Sequence, residues 1–119
     1  MKYMLLMYAN ESETPQYTGE AQQAAARAWY GFAQEAQAAG VWVSNNGLCP
    51  VSDATTVRVR NGKTLTADGP FAETHEQLGG YYLIDCKDLD EAIAWAAKIP
   101  TAQFGTIEVR PLNQWSQKA

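Results

Sequence analysis

Gly80-Tyr81-Tyr82-Leu83-Ile84-Asp85-Cys86 is apolar on both alternating faces, with Tyr81 and Leu83 on one and Tyr82 and Ile84 on the other. A strand of this kind is one that is covered on both sides. Lys2 to Tyr8 has the same character, Tyr3, Leu5 and Met7 alternating with Met4, Leu6 and Tyr8. Helical sequence follows each of them. After residues 80–86, Asp88 stands at an N-cap position with Glu91 three residues on, and the spacing predicts a helix over Asp88 to Ile99. Leu89, Ala92, Ile93 and Ala96 form its expected buried stripe, and Pro100 stops it. After residues 2–8 comes a polar loop, Asn10 to Gly19, long enough to form a flap. A longer helix is predicted over Glu20 to Ala39, with a stripe of Ala21, Ala25, Ala28, Phe32, Ala36 and Ala39 flanked by Trp29. Gly40 stands where a left-handed C-terminal cap belongs.

Between these two units, Val41 to Ser44 reads as a strand, with Asn45-Asn46-Gly47 as a turn or bulge. Thr55 to Arg60 and Lys63 to Asp68 flank Asn61-Gly62, a strong hairpin signal. A two-residue turn there pairs Arg60 with Lys63, Val59 with Thr64, Val57 with Thr66 and Thr55 with Asp68. Cross-strand partners share a face, so Asp68 is expected on the side of Val57 and Val59. Thr106 to Leu112 reads as the last strand, Ile107 and Val109 on one face. The order is strand, helix, strand, inserted hairpin, strand, helix, strand. That order predicts an α+β domain of ferredoxin-like type, a single domain over residues 1–119. Two helices cover only one face of such a sheet, and the chain has no spare helix for the other. A second copy of the chain is the expected cover, giving a homodimer whose sheets close into a barrel-like core. An interface of this kind buries about 800 Å² per partner.

The composition agrees with a folded chain. Of 119 residues, 46% are hydrophobic, among them four Trp, six Tyr and three Phe, which argues against disorder. Nine basic residues against thirteen acidic ones leave a formal net charge of −4, which disfavours nucleic acid as a partner. Arg58, Arg60 and Lys63 are the one close basic cluster and read as a solvated hairpin face. No apolar run approaches the roughly 20 residues of a membrane span, and no targeting signal stands out, so the expected setting is cytoplasmic, with no membrane partner. Cys49 and Cys86 are too few for a disulfide scaffold and are expected as reduced thiols. A single His and no clustered carboxylates argue against a metal site, and nothing points to a cofactor.

Asp68-Gly69-Pro70-Phe71-Ala72-Glu73-Thr74-His75-Glu76-Gln77-Leu78-Gly79-Gly80 carries the candidate chemistry. With Met1-Lys2-Tyr3-Met4-Leu5-Leu6, Thr56-Val57-Arg58-Val59-Arg60 and Glu108-Val109-Arg110-Pro111, it resembles the YCII-related family, in the branch named for its DGPF motif. The resemblance implies a dimeric α/β-barrel fold, a small cytoplasmic dimer, and Asp68 as catalytic or ligand-binding group. In the wider family that Asp is paired with a His from the first helix. Here that helix has no His, and the chain's sole His is His75, inside the motif.

From the residues themselves, Asp68 has two readings. Held at the rim of a barrel interior by Gly69-Pro70, it is a general base whose pKa desolvation raises. Otherwise it accepts backbone N–H bonds and holds a turn. His75 is either its proton-transfer partner, if the loop folds back, or an exposed loop cation. Tyr8, Phe71, Glu73 and Tyr82 are candidate ligand contacts. Gly79-Gly80 signals either close backbone packing or room for a ligand. Two functions follow. One is a cofactor-free acid–base catalyst, isomerase- or lyase-like, acting on a small cyclic or aromatic molecule. The other is a non-catalytic small-molecule-binding or regulatory module.

Overall fold

The structure, a computed structural model, describes residues 1–118; Ala119, last of the span expected to form the domain, lies outside the described residues. The elements run β1 (Lys2–Ala9), α1 (Gly19–Ala38), β2 (Trp42–Gly47), β3 (Thr55–Arg60), β4 (Lys63–Asp68), β5 (Gln77–Asp85), α2 (Leu89–Ala97), β6 (Thr106–Pro111) and a short α3 (Gln114–Gln117). Single 3-10 turns occur at Val51–Asp53 and Pro100–Gln103. β2, β5, β1 and β6 lie side by side in that order in one antiparallel sheet, consistent with the ferredoxin-like expectation.

Register sorts the side chains of β1 and β5 into two faces. Tyr3, Leu5 and Met7 lie opposite Ile84, Tyr82 and Gly80, and all six are buried beneath the helices. Met4 and Leu6 lie opposite Leu83 and Tyr81 on the other face, where all four are only half-buried. The molecule is 18 Å deep along its shortest axis, and the described residues form two layers, one of sheet and one of helix.

α1 keeps Ala25, Phe32 and Ala36 of its expected stripe, with Trp29 joining them, whereas α2 turns away from the side of Leu89 and Ile93. In α1 the inner stripe is Ala25, Trp29, Phe32 and Ala36, while Ala21, Ala28 and Ala39 are exposed. In α2 it is Ala92, Trp95 and Ala96, continuing to Ile99, while Leu89 and Ile93 are about half exposed. The reason is packing distance. Alanines let a helix approach the sheet closely, and one large aromatic then fills the remaining gap. Phe32 sits edge-on to Tyr82, with ring centroids 5.0 Å apart, and edge-on to Trp95 at 6.2 Å. The ends are as expected. Gly40 has φ +74° with Val41 N–H donating to Ala36 O, closing a Schellman motif. Asp88 Oδ1 accepts from Glu91 N–H at 2.9 Å.

β2 runs further than expected, through Asn45, Asn46 and Gly47, which lie opposite Tyr82, Tyr81 and Gly80. These asparagines enter a strand because their amides find partners there. Trp42 Nε1–H donates to Asn45 Oδ1, and Asn46 Nδ2–H donates to the Tyr81 hydroxyl. The irregularity falls earlier, between Trp42 and Ser44.

β3 and β4 form a separate two-stranded ribbon with the predicted register, including Thr55 opposite Asp68 and Arg60 opposite Lys63. Asn61 and Gly62, at φ +51° and +75°, make the I′ turn that matches strand twist. The ribbon stands clear of the main sheet, and almost every residue in it is exposed. Its projection shows in the radius of gyration, 16.5 Å, against about 13–14 Å for a compact chain of this length. Among the described residues, no helix is long and apolar enough to cross a membrane.

Candidate functional site

A cavity of about 570 Å³ opens where β1 ends, β2 ends and β5 begins, on the helix-covered side of the sheet. Its position follows from a β-bulge. Met7 lies opposite Gly80 and Tyr8 opposite Leu78, so Gly79 is an extra residue in β5. The two glycines differ, and the close-packing reading of the pair applies to Gly80. A Cβ on Gly80 would lie 2.7 Å from Asn46 O and 2.9 Å from Met7 Cε, so only hydrogen fits there. A Cβ on Gly79 would meet Met7 O at 3.9 Å, an ordinary contact; Gly79 lines the cavity and accepts from Leu48 N–H at 2.8 Å.

The walls are apolar and aromatic. Trp29 of α1 and Tyr82 of β5 lie with their rings 7° from parallel and centroids 6.3 Å apart, and Met7, Leu48, Pro50 and Phe104 complete the lining. Polar lining comes from Asn45, Asn46, Gln77, Thr14, Gln16 and Thr101, all uncharged. Glu11 is the single charged residue of the wall, and its carboxylate accepts from Val51 N–H at 3.1 Å. Burial pushes the Tyr82 phenol above its ordinary value, and no hydrogen bond among the described residues engages its hydroxyl.

The sign of that shift makes a prediction. The folded protein holds the Tyr82 proton more tightly than the unfolded chain does. Stability from this source is therefore complete below the usual tyrosine value of 10.0 and falls as pH rises through the higher folded value. Thermal unfolding of the wild type across pH 9–12 is expected to drop more steeply than that of Tyr82→Phe. Parallel curves for the two would remove Tyr82 as the source.

The mouth is tied by one side chain. Gln77 Oε1 accepts from Glu11 N–H at 2.9 Å, and Gln77 Nε2–H donates to Thr74 O at 2.6 Å. With the bond from Val51 N–H to the Glu11 carboxylate, this joins the loop after β1, the loop after β2 and the loop before β5. The loop after β1 is ordered internally by Asn10. Its Oδ1 accepts from Ser12 N–H at 3.0 Å, and its carbonyl accepts from Thr14 Oγ1–H at 2.8 Å.

Of the six side chains singled out from the sequence, Tyr82 lines this cavity and the others lie elsewhere in the chain. Tyr8 is half-buried, opposite Thr106, on the sheet face away from the helices. Asp68 ends β4 and is exposed on the side of Val57 and Val59, as its register requires. His75 and Glu73 are exposed in the loop between β4 and β5. No hydrogen bond or ion pair among the described residues joins Asp68 to His75. Phe71 is 77% exposed and borders a shallow concavity with Pro70, Val57 and Arg58. The turn at the motif is held by other groups than the Asp68 carboxylate. Gly69, at φ +93°, donates its N–H to Ala54 O at 2.7 Å, and its carbonyl accepts from Thr56 Oγ1–H at 2.8 Å.

Trp29, Glu11, Gln77 and the asparagines of β2 went unmarked as site residues. The signals for two of them are a lone Trp in an alanine-rich helix and the Gly-Gly pair beside Gln77. Cys49 is exposed and Cys86 buried, both as free thiols.

The profile of the YCII-related domain matches the chain over residues 1–116. An uncharacterized protein of Rhizobium meliloti (strain 1021) is 40% identical over 114 residues, covering 94% of this chain and 92% of that protein. The chain therefore belongs to the YCII-related family.

Proposed function

We propose that this YCII-related protein binds a small, uncharged, ring-bearing molecule in the cavity beside Tyr82, and does so as a homodimer. The carrying observation is the cavity wall. Two near-parallel aromatic rings, Trp29 and Tyr82, stand among apolar side chains, and the one charged lining residue, Glu11, is engaged with Val51 N–H. Such a wall favours a flat apolar ligand, while Tyr82 O–H offers one directional contact. An anion entering this lining would lose its hydration without a counter-charge, and a cation would have Glu11 alone, already hydrogen-bonded to Val51 N–H.

The test is binding of phenol and benzaldehyde compared with benzoate and benzylammonium, followed by thermal shift and tryptophan fluorescence. The neutral compounds are expected to raise the melting temperature, and Trp29→Ala to weaken them by about tenfold or more, in line with loss of an aromatic wall. An unchanged shift in Trp29→Ala, or equal binding of the charged pair, would overturn the assignment.

The dimer is supported by the sheet face away from the helices. Met4, Leu6, Tyr81 and Leu83 form its apolar centre, and Thr106, Glu108 and Arg110 of β6 flank it, a pattern of apolar core and polar rim. Two such faces meeting about a two-fold axis give the dimeric α/β-barrel arrangement. Leu6→Arg, which places a cation at the centre of that face, is expected to shift a dimeric mass in light scattering to that of one chain. A dimer that survives Leu6→Arg would rule this face out.

The residues Asp68-Gly69-Pro70-Phe71 support the DGPF-motif branch. Proton-transfer catalysis through Asp68 and His75 would need both covered by a second chain, since both are exposed in one. The binding reading has the stronger support within one chain, because its cavity is formed there.

A further inference from the structure

Among the described residues, the β3–β4 ribbon has neither a third strand nor a helix packed upon it. An isolated two-stranded ribbon is marginally stable in water, and stability comes from a third strand or a packed face. Here Val57 and Val59 are 60% and 59% exposed on one side, and Leu65 is 50% exposed on the other. At the base, Phe71 leaves most of its ring open beside Val57 and Arg58.

Charge says what fits. The ribbon, residues 55–68, carries Arg58, Arg60 and Lys63 and one acidic residue, Asp68 at its foot. That leaves six basic and twelve acidic residues elsewhere, so a ribbon of +2 projects from a body of −6, summing to the net −4. Among the described residues, none of the three ribbon cations enters an ion pair. Arg60 donates only to the carbonyl of its neighbour Val59. The chain is thus electrostatically complementary to another copy of itself. A two-fold axis would make the contact twice, each ribbon lying on the other body.

We infer that the β3–β4 ribbon is a clasp that reaches onto a second copy of this chain, burying Val57, Val59 and Phe71, while Arg58, Arg60 and Lys63 on the ribbon's other face attract the acidic body at longer range. This deepens the homodimer reading and rests on it for the partner's identity, but involves residues separate from the open sheet face. The clasp also carries Asp68, at the foot of β4, towards the partner.

Sedimentation equilibrium of the full chain tests it, with Val57→Asp/Val59→Asp and Arg58→Glu/Arg60→Glu compared with the wild type and with Leu6→Arg. All four ribbon positions are exposed apart from any core, and far-UV circular dichroism checks that the sheet is retained. Both ribbon variants are expected to weaken dimerisation by about tenfold or more. The wild-type dimer is expected to weaken with added salt, and the charge-reversed one to show little of that dependence. Ribbon variants that dimerise like the wild type, while Leu6→Arg does not, overturn the clasp and leave the sheet-face dimer standing. Weakened ribbon variants beside an unaffected Leu6→Arg support the clasp and remove the sheet face. A monomeric wild type at tens of micromolar overturns both. Retardation of a 30-base oligonucleotide by the wild type and not by Arg58→Glu/Arg60→Glu would assign the ribbon to nucleic acid, and overturn the clasp.

Discussion

Truncating Leu5 to alanine is expected to cost about 3–4 kcal/mol of folding stability, the middle of the range for buried leucines that leave a cavity. Leu5 is wholly inaccessible at the centre of β1, flanked by Tyr82 on β5 and Val109 on β6. It has no neighbour free to move into the space, because the Phe32–Tyr82–Trp95 aromatic group above it is held edge to face. For a chain of this size a loss of that order lowers the melting temperature by more than about 10 °C. Urea unfolding at fixed protein concentration measures it. An unchanged slope with a shifted midpoint would identify the loss as one of native packing. Leu6→Ala, one residue along and on the open face, is expected to cost about 1 kcal/mol in the same titration, since its side chain is only half-buried in the chain. Equal losses at protein concentrations where the chain is monomeric would contradict the assignment of faces.

Gly105→Ala is the second large effect. A Cβ at Gly105 would lie 2.2 Å from the carbonyl oxygen of Tyr8 and 3.1 Å from Ala9 Cβ and Thr101 Cγ2. The nearest obstacle is backbone near the end of β1, so relief requires the segment to pull away from β1 just where β6 begins pairing. Overpacking of this kind costs about 3 kcal/mol, at the upper end of its usual range. The change also displaces Phe104 and Thr101, which line the cavity, so ligand binding should weaken alongside stability. Gly31→Ala supplies the contrast. Gly31 is exposed in α1, and a methyl group added there would meet nothing within 4 Å. Alanine at this position is expected to stabilise by about 1 kcal/mol through helix propensity. Thermal unfolding of the two variants side by side should move in opposite directions.

These pairs show which parts of the molecule local sequence encodes. The alternation in residues 2–8 and 80–86, the Asn61-Gly62 turn and the Gly40 cap each express a constraint within a few residues, and the structure follows them. Helix phase is different. Leu89 and Ile93 fit a 3.6-residue period as well as Ala92, Trp95 and Ala96 do, and the choice depends on how near the helix lies to the sheet. The site lies further out of reach. Gly105 meets Tyr8, and Glu11 meets Gln77 and Val51, across separations that no local pattern encodes. Asp68 drew notice through its motif, and within one chain the motif's visible structural work is done by the Gly69 backbone and Thr56.

The Gln77 carboxamide has a kinetic meaning. It ties the loop after β1 to the loop before β5 with two hydrogen bonds, and bonds of about 1 kcal/mol each leave an unlatched form populated at roughly the per cent level. A guest's residence time would then be governed by how often that latch lets go, whereas its affinity would be governed by the Trp29–Tyr82 wall. Holding power and exchange rate would thus sit on different residues, free to be tuned apart.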